Sequence, residues 1–453
     1  MSVINQLVPY TILLAMAQFS FHIAKCSVTA FIGSVITLTA IAQPSRWTVD
    51  EWREDLAYLH ERIQTIHKNP YHTTTKESID AAVVELHDAI PTLTDYQISF
   101  GMQKIVASIG DGHSRLAYTS NGLTMFFPLI SWIFEDGLYI TQARDNEQHL
   151  VGARVISVEG HSIEDLMDAY EAYMNRDNDM SKLNHLPFML RVPKTLHALG
   201  YAQSEEEATY QLVDQSGKSF EHTFTGISAD DFNVWTKTLK PEAGAPLYRT
   251  RNEDIYWFTE LADQNAVYMQ FSTVQHREDL HLSKFARELT AYIDEHDIEC
   301  LIIDIRMNGG GNGDIVNFFI RHIGKHETIN REGHLYVITG RNTFSAALMF
   351  TIRMERRTNA LFAGEPGAGK PNSYSETGPF ELPNSGLNGS LSALFHQEGD
   401  PDDDRMQIDV DIPAAIKYAD YVANRDPFLD AVLDHWSNVQ SEEQPRRKKR
   451  KKN

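Results

Sequence analysis

The residues with the clearest chemical potential lie around Ser345, in residues 341–350, RNTFSAALMF. The serine follows a turn-like Arg-Asn-Thr segment and precedes a run that predicts a helix. Serine at a helix start is usually a cap, because its oxygen accepts a hydrogen bond from an exposed backbone N–H. The small residues Ala346 and Ala347 favour a second role, since they leave a substrate carbonyl room to approach the helix N-terminus, which stabilises negative charge. Ser345 therefore fits either a cap or a nucleophile.

A glycine-rich loop, residues 304–314, DIRMNGGGNGD, is the second candidate element. Gly309, Gly310 and Gly311 leave backbone amides open to close approach by an anion. The stretch lacks the Gly-Lys-Ser/Thr ending of a phosphate-binding loop and the spacing of a dinucleotide fingerprint. A tight strand-to-helix turn explains it equally well. Asp304 and Arg306 are predicted to form an ion pair that holds this loop.

A serine nucleophile needs a base, and the sequence offers two. His113 lies in SIGDGHSRL, a glycine-rich turn that ends a helical region. Lys370 lies in GEPGAGKPNSY, where burial could lower its pKa enough for it to accept a proton. Each also fits an ordinary polar loop residue, so residue type alone leaves the base open.

Ahead of these loops, the sequence predicts three helices between residues 47 and 109. Thr48 and Glu51 have the spacing of a capping box, and apolar residues then recur every three or four positions. The apolar positions are Trp52, Leu56, Leu59, Ile63, Ile66, Ile79, Val83, Leu86, Ile90, Ile98, Met102, Ile105 and Ile109.

Farther along, short β-type runs between residues 123 and 226 give way to an α/β pattern, with residues 176–210 unassigned. Four apolar runs predict buried strands, and helical patterns separate them, which indicates a parallel sheet. In such a sheet, functional groups gather in loops beyond the carboxyl ends of the strands, where the glycine loop, Ser345 and Lys370 all fall. The runs are AVYMQF (266–271), CLIIDI (300–305), LYVIT (335–339) and ALFAG (360–364).

The first 45 residues have the composition of an export signal. Lys25 is their only formally charged side chain, an apolar stretch follows at residues 27–38, and Ala40-Ile41-Ala42 is a small-x-small cleavage pattern. A retained membrane anchor is the alternative, although each apolar stretch is shorter than the roughly 20 residues that span a bilayer. We expect an extracytoplasmic protein, periplasmic or secreted, with no stable membrane span in its mature form.

Charge and cysteine content exclude several classes of protein. The net charge is −21, although the last eight residues, RRKKRKKN, carry seven positive charges, so the rest of the chain is strongly acidic. This argues against nucleic-acid binding. The basic end is expected to be a solvated, disordered tail. Cys26 would leave with the signal and Cys300 opens an apolar strand, so neither a disulfide nor a cysteine-ligated metal is expected.

Taken together, these motifs resemble the serine peptidase family of C-terminal processing proteases and the tricorn core peptidase, over roughly residues 47–436. LIIDIRMNGGG is similar to the family's strand and oxyanion loop, TFSAA to its nucleophile motif, and GDGHS to the histidine turn of the tricorn-like branch. GEPGAGKPNSY is similar to the loop after the nucleophile helix. GARVISVEGHSIEDL resembles part of the PDZ-like domain, and DYVANRDPFLDAVL the usual end of the family.

The resemblance implies an α/β protein of several parts, with a catalytic domain of the processing-protease and crotonase-like type. Residues 1–42 are then a leader, 47–122 a helical cap, 123–226 a PDZ-like β domain, 250–436 the catalytic domain and 437–453 a polar tail.

It also implies site residues. Ser345 is the expected nucleophile, with the Ala346 amide and that of Gly309 or Gly310 as oxyanion donors, and neither a metal nor an organic cofactor is expected. The base is His113 if the chain follows the tricorn-like branch, which the GDGHS turn and NGGG loop favour. In the processing-protease branch the base is a lysine, and the spacing from Ser345 to Lys370 is similar to that branch.

Two departures affect this assignment. The tricorn-like branch has a serine immediately before its histidine, where this chain has Gly112 followed later by Ser114. The branch also uses a late glutamate to orient its polar network, and the sequence does not distinguish Glu376, Glu381 and Glu398.

The function implied is an exported serine endopeptidase that cleaves unfolded or C-terminal protein segments through an acyl-enzyme on Ser345. The alternative is an inactive member of the family that binds peptide or an apolar ligand, as the retinoid-binding protein of the interphotoreceptor matrix resembles this fold. A nucleotide-binding protein is a remote third hypothesis, because phosphate-loop chemistry is missing.

Overall fold

A computed structural model describes residues 45–450, except for 121, 123, 240–242 and 252. For residue 145 and residues 444–450, only the backbone is described. The predicted leader and the last three residues of the basic end lie outside the described residues.

Three helices begin the described part of the chain and confirm the pattern expected between residues 47 and 109. Thr48 and Glu51 form the predicted capping box, with Thr48 Oγ1 accepting from the Glu51 N–H and Glu51 accepting from the Thr48 N–H. Trp52, Leu59 and Ile63 are fully buried, since the apolar stripe of the first helix faces the core. The helices are α1 (Val49–Ile66), α2 (Lys76–Ala89) and α3 (Asp95–Ala107).

The next part is dominated by an antiparallel sheet, in the order β3-β4-β5-β7-β8 with β6 paired to β5. Its identity as a PDZ-like domain stays a prediction. Helices α4 to α6 belong to this part, and α5 and α6 lie in the stretch 176–210 that the sequence left unassigned. The elements are β1 (Arg115–Leu116), β2 (Met125–Phe126), β3 (Leu129–Phe134), β4 (Gly137–Ala143), β5 (Arg154–Val158), β6 (His161–Ser162), α4 (Ile163–Glu171), α5 (Met180–Leu190), α6 (Pro193–Ala198), β7 (Glu207–Val213), β8 (Ser219–Thr225), β9 (Ile227–Ser228) and α7 (Ala229–Thr236).

The α/β part is built on a six-stranded sheet in the order β10-β11-β12-β13-β14-β17. All neighbours from β11 to β17 pair in parallel, which confirms the predicted parallel sheet, and β10 is antiparallel to β11. The elements are β10 (Tyr256–Leu261), β11 (Ala266–Phe271), α8 (Leu282–Glu295), β12 (Cys300–Asp304), α9 (Val316–Ile323), β13 (Leu335–Thr339), α10 (Ala346–Arg357), β14 (Leu361–Gly364), β15 (Asn372–Glu381), β16 (Asn388–Gln397), β17 (Ile412–Pro413), α11 (Tyr418–Val422) and α12 (Pro427–Arg450).

Both faces of this sheet are covered, so its central strands β11, β12 and β13 are buried along their whole length. Val267 and Met269 of β11 pack in the core under α8, α9 and α10. Tyr268, between them, points to the opposite face, where it packs with Trp436 of α12. The sheet therefore provides a rigid base for the loops at its carboxyl edge.

A long hairpin of β15 and β16 leaves the α/β part, and sequence analysis did not predict it. Nine residue pairs join its strands in antiparallel register. β16 also pairs with β1, so that Ser390 lies opposite Arg115. The hairpin thereby ties the His113 turn to the domain that carries Ser345.

The last helix, α12, continues to Arg450, into the segment for which the sequence predicts a disordered tail. That prediction is wrong up to Arg450, because α12, anchored by buried Trp436, continues through Pro445 to that residue. Within the described residues, no helix combines the length and apolarity that crossing a membrane requires.

Candidate active site

Ser345 stands at the N-cap position of α10, but its side chain does not cap the helix. Its backbone has φ 54° and ψ −125°, a left-handed conformation that is costly for a residue with a side chain. Ser345 Oγ lies 3.0 Å from Nε2 of His113. The cap interpretation is therefore wrong for this serine, whose hydroxyl faces a histidine instead.

The turn before Ser345 is held by hydrogen bonds to the end of β12. Thr343 Oγ1 donates to the Ile305 carbonyl at 3.0 Å and accepts from the Gly340 N–H at 3.1 Å. The Phe344 N–H donates to the Asn308 carbonyl at 3.1 Å. These bonds fix the strained serine against the glycine loop, so the surrounding structure maintains its conformation.

Asn308 organises the glycine loop, and sequence analysis missed it. Its side-chain N–H donates to the Phe271 carbonyl at the end of β11, at 2.9 Å. Its Oδ1 accepts from the Gly310 N–H, also at 2.9 Å. The amide of Gly310 is thus occupied, whereas the N–H groups of Gly309 and Ala346 donate to no acceptor among the described residues. Of the two predicted glycine donors, the geometry favours Gly309.

The predicted ion pair of Asp304 and Arg306 is confirmed at the base of this loop. Arg306 Nη2 lies 2.7 Å from Asp304 Oδ2, and Arg306 Nη1 lies 2.6 Å from Asp426 Oδ1. All three side chains are buried. The pairs tie the start of the loop to the start of α12.

Gly310 must be glycine for the loop to approach Ser345. Its φ is +112°, and a Cβ built on it lies 2.7 Å from Ser345 Cβ and 3.0 Å from the Ala346 nitrogen. Gly310→Ala is therefore expected to displace the loop and lower kcat about 10²- to 10³-fold, the effect of losing an oxyanion donor. Gly309→Ala is the matched control, because its Cβ meets no atom within 4 Å. Equal kcat values for the two variants in a peptide-hydrolysis assay would contradict this account.

The turn that carries His113 is built around the buried carboxylate of Asp111. Asp111 Oδ1 accepts from the N–H groups of His113 and Ser114 and from Ser392 Oγ, and Oδ2 lies 2.9 Å from His67 Nε2. Burial alone raises the pKa of Asp111, but the hydrogen bonds from His67, Ser392 and Ser114 outweigh it and hold the pKa below its usual range. A charged Asp111 thus fixes the backbone of the histidine turn.

Further contacts fix the position of His113 from three sides. Ser390 Oγ, on β16, donates to its carbonyl at 3.2 Å, and Asn175 Nδ2 donates to the carbonyl of Gly112 at 2.8 Å. The imidazole stacks on Phe344, with ring centroids 4.4 Å apart. Phe344 directly precedes Ser345, so this stacking helps to set the distance between the two side chains.

Burial lowers the pKa of His113 to about 4. The nearby charges of His396 and Arg115 act in the same direction, whereas Asp111 and the Tyr374 carbonyl raise the pKa. Nδ1 of His113 is buried and has no hydrogen-bond partner among the described residues. The ring is therefore neutral at neutral pH, as a proton acceptor must be.

Lys370 lies close to this pair without joining it. It lines a small cavity with Ser345 and His113, but it makes no hydrogen bond with Ser345 within the described part of the chain. The serine hydroxyl already faces His113. The geometry favours His113 over Lys370 as the base.

None of the three candidate glutamates contacts His113 among the residues described. Glu398 lines the same cavity, but its carboxylate forms a two-pronged pair with Arg353, at 2.7 and 2.6 Å. Glu376 lies 3.7 Å from His396, and Glu381 is exposed on the hairpin. The orienting acid stays unassigned.

Asp177 explains why glycine precedes His113. A Cβ at Gly112 would lie 2.9 Å from Asp177 Oδ2 and from the Phe344 ring, so the site has no room for a serine there. Asp177 lines the cavity with Ser345 and Lys370, and its Oδ1 has no hydrogen-bond partner among the described residues. It comes from the stretch that sequence analysis left unassigned.

Burial raises the pKa of Asp177 to about 7, against an opposing effect of Lys370. Because this pKa is raised, the native state retains a proton that the unfolded chain has lost, and stability falls as pH rises from about 4 to 7. Asp177→Asn removes this pH dependence. The free energy of unfolding of the variant minus that of wild type is therefore expected to be about 2 kcal/mol larger at pH 8 than at pH 5. Denaturant unfolding at both pH values measures this.

Asp179→Asn is the matched control, since Asp179 is exposed and only two residues away. A stability difference for Asp177→Asn that does not change with pH would show that Asp177 is ionised throughout this range.

Two cavities of very different size flank the Ser345 region. The cavity shared with Asp177 and Lys370 has a volume of about 20 Å³, room for about one water molecule. On the other side, a cleft of about 420 Å³ is lined by Gly309, Phe344 and Gly112. The larger cleft has room for a peptide next to Phe344, which precedes Ser345, whereas the 20 Å³ cavity does not.

Comparison with known proteins gives a match at the level of fold. No protein-family model and no curated protein matches the chain. The structure of mature CPAF in complex with lactacystin is similar, with a TM-score of 0.62, 11% identity, and 86% of this chain and 98% of that chain covered. Mature CPAF gives a TM-score of 0.59 and 12% identity, covering 85% and 96%.

A photosystem II D1 C-terminal processing protease also matches, with a TM-score of 0.38 and 11% identity over 84% of this chain and 96% of that chain. The CPAF comparisons show that this chain has the fold of CPAF, over 85–86% of this chain and 96–98% of the CPAF chains. At 11–12% identity they extend to the fold alone.

Proposed function

We propose that the protein is a serine peptidase that cleaves peptide bonds through an acyl-enzyme on Ser345, with His113 as general base. The observation that carries the proposal is the 3.0 Å approach of Ser345 Oγ to His113 Nε2, made by a serine held in a strained conformation at a helix start. A cap or a loop residue needs neither the strain nor the histidine.

The chemistry follows from the positions of the groups. His113 Nε2 accepts the hydroxyl proton as Ser345 Oγ bonds to the scissile carbonyl carbon, which requires the tautomer with a proton on Nδ1. The amides of Ala346 and Gly309 stabilise the resulting oxyanion. His113 then gives the proton to the leaving nitrogen as the C–N bond breaks. A water molecule, deprotonated by the same histidine, then attacks the ester carbon, and His113 returns that proton to Ser345 Oγ as the C–Oγ bond breaks and the acid product leaves.

A histidine base is the arrangement that the tricorn-like branch of the resemblance implies. Geometry supports this choice over Lys370, because among the described side chains only His113 is within hydrogen-bond distance of the serine hydroxyl. The cleft beside Gly309 is open to an extended chain, which supports unfolded or C-terminal segments as substrates. Export to an extracytoplasmic compartment rests on the leader composition in residues 1–42.

The test is to incubate the purified protein with an unfolded protein substrate and to identify new chain termini by mass spectrometry. We expect cleavage of the unfolded substrate and none of its folded form. If the purified protein is folded and still leaves the unfolded substrate intact under all conditions, the proposal that it is a peptidase is wrong.

A binding module is the second candidate, and a second cavity favours it. A mostly apolar cavity of about 460 Å³ is lined by Trp132, Phe134, Ile416 and Phe428, and it shares Met307 and Asn342 with the cleft beside Gly309. Its size is in the range of small-molecule sites. Co-purification of an apolar ligand, without peptide cleavage, would support this candidate over the peptidase.

A further inference from the structure

The cleft beside Gly309 continues away from Ser345 into a second cavity. The two have volumes of about 420 and 600 Å³, and both are lined by Arg115, Asn175 and His185. Together they form one groove, which we call the β1 groove because Arg115 and Leu116 of β1 lie along it. Its volume is sufficient for several residues of an extended peptide.

The β1 groove is basic in an acidic protein. Among the described residues that line it there is no aspartate or glutamate, and Arg115 carries its only permanent charge. The chain as a whole has a net charge of −21. Arg115 is exposed and has no salt bridge or hydrogen bond to another side chain in the described part of the protein. Its guanidinium is thus available to a ligand.

Arg115 is held rigidly and close to the reacting groups. It lies two residues after His113, so their Cα atoms are at most about 7 Å apart. Its backbone pairs with Ser390 of β16, the strand that also fixes the histidine turn. Strand β16 therefore holds both Arg115 and His113 in place. A ligand bound to Arg115 lies within a few peptide residues of Ser345.

Two residues that line the groove each carry a buried polar atom without a hydrogen-bond partner among the described residues. Asn184 Oδ1 and His185 Nδ1 are buried, and neither has a hydrogen-bond partner among the described residues. Both residues line the cavity next to Gly309. These atoms are enclosed by the protein, so they are part of the groove wall, and Arg115 is the charged group that the groove exposes to a ligand.

We infer that Arg115 binds a carboxylate of the peptide substrate in the β1 groove and so directs cleavage to peptides that carry negative charge near the scissile bond. This inference rests on the proposed peptidase function and adds a substrate class to it. Arginine suits the role because its planar group donates two parallel hydrogen bonds to one carboxylate. The carboxylate comes either from an aspartate or glutamate side chain or from the C-terminus of the substrate.

The kinetic test compares matched peptides. One pair has blocked ends and differs only by Glu or Gln, placed in turn at each position within four residues of the cleaved bond. The peptides of the other pair have no charged side chains and differ only in having a free or an amidated C-terminus. Wild type is expected to prefer the charged member of one pair by about tenfold in kcat/KM, and the preference should weaken at high salt.

Arg115→Gln should bring that ratio close to one, and Arg115→Glu should invert it. Lys218→Gln and Lys218→Glu make the same charge changes on an exposed turn far along the chain and should leave the wild-type ratio in place. The pair that responds identifies the source of the carboxylate. Equal rates for both pairs in wild type, or an unchanged ratio in Arg115→Gln, would overturn the inference while leaving the peptidase proposal intact.

A binding measurement separates the two proposals when no hydrolysis occurs. Fluorescence anisotropy with the same peptides on the Ser345→Ala variant should show about tenfold tighter binding of the charged member, lost when Arg115→Gln is added. Binding of this kind without wild-type hydrolysis would retain the role of Arg115 and reject the peptidase. Equal affinities would reject the role of Arg115.

Discussion

Ser345→Ala is expected to lower kcat for peptide hydrolysis about 10⁴- to 10⁶-fold, while the protein keeps its fold. The substitution removes the oxygen that faces His113 and retains Cβ, the atom that Gly310 approaches. Stability should change by less than about 1 kcal/mol, because the hydroxyl caps no helix in the native structure. Steady-state hydrolysis and denaturant unfolding of the same preparations measure both effects.

Ser228→Ala is a matched control with the opposite expectation. Ser228 Oγ caps α7 by accepting from the Asp231 N–H at 3.1 Å. Its loss should cost about 1 kcal/mol of stability and leave kcat unchanged. If Ser345→Ala instead destabilises the protein and retains its activity, Ser345 is a structural serine.

His113→Ala is expected to have the second largest effect, a loss of about 10³- to 10⁴-fold in kcat, because no other side chain in the described part of the chain is within hydrogen-bond distance of Ser345 Oγ. Lys370→Ala should stay within about tenfold of wild type, since Lys370 makes no hydrogen bond to Ser345 among the described residues and influences the cavity through its charge. The two variants therefore separate the two candidate bases. A larger loss for Lys370→Ala than for His113→Ala would reverse the assignment.

The pH profile of the wild type gives an independent check on the base. Because burial lowers the pKa of His113 to about 4, the ring stays neutral well below the ordinary histidine value of about 6.5. Activity should therefore fall only as pH drops through about 4, where the ring takes up a proton and cannot accept another. A lysine base would lose activity on the alkaline side of neutrality. A fall in kcat/KM already complete at pH 7 would contradict a His113 base.

Sequence patterns predicted the elements whose periodicity reflects burial. The stripe on α1 and the apolar runs of β11, β12 and β13 mark surfaces that must be covered, so their positions follow from composition alone. The loops after β12 and β13 could be located for the same reason, because a parallel sheet places its carboxyl edges together.

Contacts between distant segments could not be predicted in this way. The β15–β16 hairpin is mostly half-exposed, so it has no strong apolar pattern, yet it holds the His113 turn through Ser390 and Ser392. Asp177 occupies space beside Gly112 that only the folded chain defines. A polar residue in an aperiodic stretch gives no sign of such a role. Asn308 was missed for the same reason, because its contact with the end of β11 joins segments that are distant in the sequence.

The glycine at position 112, where the resemblance implies a serine, has a physical explanation in the packing around it. The resemblance expects a serine at this position, and the sequence alone leaves its absence unexplained. In the folded chain, Asp177 and Phe344 fill the space that a side chain at position 112 would need. Glycine is therefore the residue that the packing around position 112 accommodates.

The central claim, that Ser345 is a nucleophile activated by His113, is tested most directly by reaction with a fluorophosphonate probe and location of the adduct by mass spectrometry. We predict a single adduct on the peptide that contains Ser345, formed at least about 100-fold more slowly in His113→Ala. An adduct on any other residue, no adduct in a folded wild-type protein, or equal labelling rates in the two proteins would contradict the claim.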